Sequence, residues 1–446
     1  MSRLFGTDGI RAKAGTPPLD PPTIRRVGGA LVRALERRDG TPVVLIGGDT
    51  RESSAWIERE LTVGLTAEGA RVVTAGVIPT PGIAYLTRAE GFDAGIVVSA
   101  SHNPFDDNGI KIFSGRGEKL DEEFEARIEA IVADATWSIA ASGAAEPERQ
   151  PALGDRYVDH LLQILPRVSR LAGSRIVVDC ANGATTAIAP GLLRRVGLEV
   201  IAAGDRPDGR NINLDCGSTH LELLQRLVVE HGARLGVAFD GDGDRAMFVD
   251  RRGRVVDGDA VLMMAALQLQ REGRLRGGAV VATVMSNIGL EMGLREHGID
   301  LVRTPVGDKH VMEQMLARGL ALGGEQSGHI IFSDHLFTGD GLGTALQVLR
   351  ILEMTGRELD ELAAAFVRYP QVLVNVRVRA RAEFDSVPAI AASIQRVRER
   401  VDGQGRLLIR YSGTEPLVRI MIEGKDQREI QRWADELAEV VRAELG

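Results

Sequence analysis

Three aspartates, Asp240, Asp242 and Asp244, alternate with Gly241 and Gly243 directly after the apolar run 235–239. Carboxylates at i, i+2 and i+4 of an extended segment project to one side, and the two glycines let the backbone curl until all three converge. Hard oxygen ligands of this kind suit a divalent cation, and three of them leave coordination positions open for phosphate oxygens, the pattern of Mg2+. A solvated acidic turn is the plainer reading, but three like charges so close together repel one another unless a cation sits among them. An EF-hand is excluded, because Arg245 stands at the sixth position and Arg251 at the twelfth, where glycine and glutamate are needed.

The second chemical locus spans residues 93–113. An apolar, β-branched run, 94–98, predicts a buried strand and stops at Ser99-Ala100-Ser101-His102-Asn103-Pro104. A hydroxyl, an imidazole and an amide therefore stand at the carboxyl end of a strand, the edge at which ligands bind in open α/β sheets. Ser101 is the candidate nucleophile or phosphate carrier; on this stretch alone an ordinary strand–turn–strand connection fits equally well. Asn108-Gly109 predicts a second turn, and residues 110–113 a short returning strand that sets Lys111 against apolar neighbours. Only five of the 54 basic residues are lysine: Lys13, Lys111, Lys119, Lys309 and Lys425. A buried ammonium can lose its proton where a guanidinium cannot, which singles out Lys111 and Lys309.

Cations in glycine-rich loops mark anion sites. Arg11 closes the loop Gly6-Thr7-Asp8-Gly9-Ile10-Arg11, and Arg245 follows the acidic triplet. Arg410 and Arg419 flank Ser412-Gly413-Thr414, where a glycine lets backbone N–H groups converge on a phosphate and the hydroxyls and guanidinium complete the nest. Glu325, Ser327 and His329 lie in a loop between apolar segments, and a carboxylate with a hydroxyl two residues on can grip adjacent sugar hydroxyls.

Positioning these loops takes a repeated frame. Three successive α/β units each carry apolar strands that end in glycine-rich polar loops, a pattern of duplicated architecture. A boundary linker rich in Ala, Ser, Glu and Pro runs over 133–154. The loop Asn211-Ile212-Asn213-Leu214-Asp215-Cys216-Gly217-Ser218-Thr219 precedes a helix of the second unit. The last unit reads β-α-β-β-α, and its final helix repeats apolar residues at Ile430, Trp433, Leu437, Val440 and Val441, so Trp433 is expected in the core.

Composition narrows the classes further. A chain of 446 residues exceeds one core and predicts three or four domains. A net charge of -8 argues against a nucleic-acid partner held by phosphate neutralisation. No stretch is long and apolar enough for a bilayer span, and no apolar signal core opens the chain. Cys180 and Cys216 form neither a CxxC pair nor a disulfide framework and read as free thiols, so a cytoplasmic location is expected. There is no P-loop, zinc spacing or G-x-S-x-G elbow. One alternative survives: Phe239-Asp240-Gly241-Asp242 after an apolar strand also resembles the phosphatase loop of haloacid dehalogenases, with Asp240 as nucleophile.

Taken in order, Ser-Ala-Ser-His-Asn-Pro with Asn-Gly-Ile-Lys, Asp-Gly-Asp-Gly-Asp-Arg, Gly-Glu-Gln-Ser-Gly-His and Arg-Tyr-Ser-Gly-Thr-Glu-Pro resemble the α-D-phosphohexomutase superfamily along the whole chain. The resemblance implies three similar α/β domains with mixed sheets around a central cleft and a smaller C-terminal α+β domain. It sets a phosphoserine domain at 1–153, a metal-binding domain at 154–255, a sugar-binding domain at 256–368 and a phosphate-binding domain at 369–446. It implies phosphorylated Ser101, Mg2+ on Ser101, Asp240, Asp242 and Asp244, and catalytic roles for Lys111 and Arg11. Sugar contacts fall to Arg245, Glu325, Ser327 and His329, and phosphate contacts to Arg410, Ser412, Gly413, Thr414 and Arg419. Gln326, the opening Phe-Gly-Thr-Asp-Gly-Ile-Arg, Cys216-Gly217-Ser218-Thr219 and Thr283-Val284-Met285-Ser286-Asn287 resemble the bacterial branch acting on glucosamine phosphates, with the glucose and mannose branches as the alternative. The implied reaction interconverts glucosamine 6-phosphate and glucosamine 1-phosphate through a hexose 1,6-bisphosphate, for UDP-N-acetylglucosamine and cell-wall synthesis. An activating kinase or bisphosphate donor would prime Ser101, and a homodimer is an expected assembly. Asp308 stands where relatives carry a histidine, beside Lys309 and His310.

Overall fold

Apolar runs rich in valine and isoleucine form the inner strands of three mixed sheets, in a computed structural model that describes residues 4–6, 8–35, 40–139, 145–412 and 415–446. The first sheet has strands β1 (Ile10–Lys13), β2 (Val43–Gly48), β3 (Arg71–Val77), β4 (Ala94–Val98), β5 (Asp107–Ser114) and β6 (Glu148–Arg149), in the order β1-β5-β4-β2-β3-β6. The second has β7 (Arg175–Asp179), β8 (Glu199–Ala203), β9 (Leu235–Phe239), β10 (Ala246–Asp250) and β11 (Val255–Val256), in the order β11-β10-β9-β7-β8. The third has β12 (Ala279–Thr283), β13 (Asp300–Thr304), β14 (Leu322–Gly324) and β15 (Ile330–Phe332), in the order β13-β12-β14-β15.

One topology recurs in all three. In β2-β3-β4-β5, β7-β8-β9-β10 and β12-β13-β14-β15 the first three strands run parallel and the fourth returns antiparallel beside the third. The chain winds outward from the first strand to the second, then crosses back over the first to lay down the third. That reversal makes a switch point, where the carboxyl ends of strands open a crevice. The crossing from third to fourth strand is the Ser101 loop in the first sheet, the Asp240–Asp244 loop in the second and the Glu325–His329 loop in the third. The expected duplication is thus a repeated winding.

Inner strands are buried on both faces, as continuous apolar runs require. Ile46 and Ile96 are paired in register on β2 and β4 and are fully buried; burial of such a side chain is worth about 1.5–3 kcal/mol. Two expectations are corrected. Asn108-Gly109 is not a turn but part of β5, where Gly109 pairs with Arg11 of β1. A β-carbon at Gly109 would lie 2.6 Å from the Ser99 carbonyl oxygen, so the glycine serves close strand approach. Within the expected linker 133–154, Glu148–Arg149 form β6 at the edge of the first sheet beside β3.

The chain divides into two compact units, Met1–Met285 with Ile299–Ala365, and Ser286–Gly298 with Phe366–Gly446. The second unit contains an antiparallel sheet of β16 (Gln371–Arg377), β17 (Gly405–Tyr411) and β18 (Leu417–Gly424), in the order β16-β18-β17. Val418, Ile420 and Ile422 alternate along β18 into a core with helices Pro388–Val401 and Gln427–Leu445, and Trp433 is buried there as its spacing predicts. Helix Ile288–Glu296 belongs to this unit, held by the buried Glu423 carboxylate, which accepts from Asn287 Nδ2 at 3.1 Å and from the Ile288 N–H at 3.2 Å. No described helix is long and apolar enough to cross a membrane.

Candidate active site

Ser101 sits in the turn after β4 with φ +54°, a left-handed conformation that a residue with a β-carbon adopts only when its surroundings impose it. Its Oγ donates to Asp240 Oδ2 at 2.5 Å and lies 3.3 Å from His102 Nδ1. The Ser101 N–H donates to Ser99 Oγ at 3.0 Å, and its carbonyl accepts from Arg51 Nη2 at 3.1 Å and Asn213 Nδ2 at 2.9 Å. Arg51 is buried and paired with Asp49 at 2.9 Å. The turn is therefore built from the main chain outward, and the hydroxyl faces the acidic loop of the second sheet.

That loop converges as its spacing predicts. Asp240, Asp242 and Asp244 each offer a carboxylate oxygen within 4.8 Å of the others, and all three are buried. Asp242 Oδ1 and Asp244 Oδ1 are buried without a hydrogen bond among the described residues. Buried carboxylate oxygens with unused lone pairs are costly, and hard oxygen donors facing one point fit a divalent cation. The remaining oxygens are engaged. Asp242 Oδ2 accepts from Thr80 Oγ1 at 2.7 Å and Lys111 Nζ at 2.8 Å, and Asp240 Oδ1 accepts from the Arg245 N–H at 3.1 Å. With Oδ2 bound to Ser101 as well, Asp240 is not arranged as a free nucleophile, which disfavours the phosphatase alternative. A β-carbon at Gly241 would lie 2.5 Å from the Ser101 carbonyl oxygen, so the glycine is what brings the two loops this close.

Charges in this space shift one another. Burial, then the Asp244 and Asp242 carboxylates, push the Asp240 carboxyl well above the usual carboxylate range. For Asp244 burial is outweighed by Lys111, His329 and Arg245, which hold it well below that range. Burial alone would lower Lys111, as the sequence reading expects, but Asp242, Asp8 and Asp244 outweigh it and raise the ammonium well above its ordinary value. His102 is pushed down to about 4, by burial first and then by Arg245 and Arg11.

A cavity of about 500 Å³ opens beside the two loops. Arg11, His102, Asp244, Arg245, Glu325 and His329 line it, so sequence-predicted residues from all three sheets face one space. His329 is almost fully buried: its Nε2 accepts from the Gly339 N–H at 3.0 Å, which puts the ring proton on Nδ1, 3.6 Å from Asp244 Oδ2. Ser327 Oγ lies 3.5 Å from Glu325 Oε2 and is not on the cavity wall. Gln326 turns its amide to Asp259 at 3.3 Å.

Several functional candidates escape sequence reasoning. Asp8 ion-pairs with Arg11, with Lys111 at 3.0 Å and with Lys119 at 2.5 Å. Lys119 also pairs with Asp308, and Asp308 Oδ2 stands 3.6 Å from His329 Nε2. Lys119 rather than Lys309 is thus the second lysine of the site; Lys309 turns to Glu125 at 3.4 Å, and His310 to Glu313 at 3.6 Å. The scarcity of lysine in the sequence is the signal that could have found Lys119.

In the second unit Arg410 and Arg419 are directly opposite on β17 and β18. Like charges in that position repel unless an anion joins them. Arg419 Nη2 lies 3.3 Å from Glu415, and Ser412 Oγ accepts from the Glu415 N–H at 3.3 Å. Gly413 and Thr414 lie outside the described residues.

The site and fold define a phosphohexomutase, and the chain belongs to the phosphoglucomutase/phosphomannomutase family. Its alpha/beta/alpha domain I matches residues 2–138, domain II 155–253, domain III 257–369 and the C-terminal domain 373–440. Within that family the chain falls among the phosphoglucosamine mutases. It is 48% identical to the phosphoglucosamine mutase of Solibacter usitatus over 99% of both chains. It is also 48% identical to that of Symbiobacterium thermophilum over 100% of both chains. A crystal structure of a phosphoglucomutase/phosphomannomutase family protein from Burkholderia thailandensis superposes with a TM-score of 0.81 at 25% identity, covering 99% of this chain and 98% of that one. The chain is accordingly an isomerase of this class.

Proposed function

We propose that the chain interconverts glucosamine 6-phosphate and glucosamine 1-phosphate, with Ser101 as the phosphoryl carrier, in the supply of UDP-N-acetylglucosamine. The observation that carries the reading is the Ser101 Oγ–Asp240 Oδ2 contact of 2.5 Å beside two buried, unbonded carboxylate oxygens. The name shared by the relatives, which span the whole chain at 48% identity, supports the amino sugar.

Phosphoryl transfer asks mainly for positioning and charge neutralisation. Mg2+ held by Asp240, Asp242, Asp244 and a phosphoryl oxygen on Ser101 would offset charge on the transferring group. Phosphorylated Ser101 gives its phosphoryl group to the free hydroxyl of the sugar phosphate: the Oγ–P bond breaks, a sugar O–P bond forms, and a 1,6-bisphosphate results. The sugar hydroxyl loses its proton and Ser101 Oγ regains one, which in the dephosphorylated protein it shares with Asp240. After the bisphosphate turns over in the site, its other phosphoryl group returns to Ser101. Lys111, held as an ammonium, supplies charge and a proton at the transferring oxygens, and Arg11 and Arg245 face the same cavity. Glu325 contacts sugar hydroxyls; Ser327 and His329 hold Glu325 and Asp244. Arg410, Ser412, Gly413, Thr414 and Arg419 bind the non-reacting phosphate. A hexose 1,6-bisphosphate or an activating kinase primes Ser101.

Purified protein given glucosamine 6-phosphate, Mg2+ and a trace of hexose 1,6-bisphosphate should form the 1-phosphate. Much faster turnover of glucose or mannose phosphates would replace the substrate assignment. Label recovered as a hydroxylamine-sensitive acyl phosphate on Asp240, instead of phosphoserine, would replace the carrier.

A further inference from the structure

The loop at residues 211–219 stands out in the sequence, and nothing in the proposed reaction uses it. It is fixed to the second sheet at three points. The Asn213 N–H donates to the Ala181 carbonyl at 2.9 Å, the Gly217 N–H to Asp179 Oδ2 at 2.7 Å, and the Ser218 N–H to the carbonyl of Phe239 at 2.8 Å. Phe239 is the residue immediately before Asp240.

From that anchorage Asn213 reaches into the first sheet's turn. Its Nδ2 donates to the Ser101 carbonyl at 2.9 Å and to the Asn103 carbonyl at 3.1 Å. Arg51 Nη2 donates to the same two carbonyls, at 3.1 and 2.8 Å. Arg51 follows β2 and so belongs to the same sheet as Ser101, whereas Asn213 belongs to the sheet that carries the aspartates. Asn213 is buried and has φ +59°, a left-handed conformation that asparagine tolerates better than other residues with a β-carbon. The Gly241 position packs against both partners, since a β-carbon there would lie 2.5 Å from the Ser101 oxygen and 2.9 Å from Asn213 Nδ2.

We propose that Asn213 is a positioning residue that ties the strained Ser101 turn to the acidic loop and so sets Ser101 Oγ against Asp240. The tie is made through main-chain carbonyls, so it is the same whether Oγ is free or carries a phosphoryl group. A residue that held the hydroxyl itself would have to let go in each half of the cycle. The inference rests on the reading of Ser101 as phosphoryl carrier.

Asn213→Gly keeps the backbone conformation and removes the amide; Asn213→Asp keeps the shape and replaces both donors with acceptors. In each, kcat should fall roughly 10- to 100-fold, the cost of a slightly misplaced reacting group, with the sugar-phosphate KM within about twofold. Amide deuterium exchange over residues 99–105 should quicken in both. Asn211→Ala serves as the control, because the Asn211 side chain bonds the Asp208 N–H and the Arg206 carbonyl, neither of which belongs to the Ser101 turn. Unchanged kcat in the Asn213 variants, an equal loss in Asn211→Ala, or unaltered exchange at 99–105 would each overturn the proposal. If the unaltered protein turns over no hexose phosphate, the proposed function falls, while the exchange measurement still decides whether Asn213 holds the turn.

Discussion

Lys111 Nζ lies 2.8 Å from Asp242 Oδ2 and 3.0 Å from Asp8 Oδ2, with Asp244 Oδ2 at 3.5 Å, so three acids surround the single lysine of the Ser101 hairpin. Its pKa is raised above 10.5, although burial alone would lower it. In the metal-free protein those three acids favour the ammonium form. Lys111→Met should lower kcat by about 10²- to 10⁴-fold, and Lys111→Arg should not restore it, because a guanidinium fork cannot replace a point charge among three carboxylates.

Metal removal should expose the repulsion among the aspartates. The Asp240 carboxyl is raised well above 3.8 by burial and by Asp244 and Asp242, so a cation binding there competes increasingly with a proton as pH falls. A raised carboxyl pKa stabilises the fold at low pH and ceases to do so as pH rises through the folded value. The melting temperature gained on adding Mg2+ should accordingly grow as pH rises from 3.8 toward that value and then level off. A gain independent of pH would show that Asp240 is not a ligand.

Much of this site is visible in the sequence because its chemistry is local. Asp240, Asp242 and Asp244 fall within five consecutive residues of one loop, and Ser101 and Lys111 sit ten apart on one hairpin, so spacing alone brings them together. Asp8, Lys119 and Asp308 carry no such signal, since their pairing exists only once β1, the first sheet's hairpin and the third sheet's loop have packed. Long-range charge also reverses the expected direction at Lys111: burial is legible from an apolar strand, but the acids facing it come from other segments. Asn108-Gly109 misleads for a related reason, being a turn dipeptide by composition whose glycine is spent on close packing against β1.

Arg410 and Arg419 face each other across β17 and β18. An anion should raise the melting temperature of the protein, and Arg419→Gln should stabilise the anion-free protein by roughly a few tenths of a kcal/mol, by ending the like-charge contact. The same substitution should raise the sugar-phosphate KM and remove most of the anion effect. Calorimetry with and without inorganic phosphate separates these outcomes.

His160 is stacked between Tyr85 and His335, with ring centroids 3.8 and 4.2 Å away, and burial, then His335, push it down to about 4. An imidazole kept neutral in the fold stabilises it fully above the unfolded value of 6.5, and that contribution is lost as pH falls from 6.5 to about 4. His102 behaves in the same direction. The melting temperature should fall across that window, and His160→Phe, which keeps the stack and removes the titration, should flatten the fall. An unchanged slope in the variant would place the acid sensitivity elsewhere.

Three loops of different chemistry leave the same point of the same winding: a hydroxyl in the first sheet, carboxylates in the second, a carboxylate with an imidazole in the third. The strands on either side fix where each loop emerges and leave its residues largely unspecified. Such a frame works as three sockets with interchangeable fittings. The fitting in the third socket can be rewritten for a different sugar while those in the first two, the proposed phosphate carrier and metal ligands, keep their wording. Substrate range can then drift in this architecture without the transfer chemistry having to be invented again.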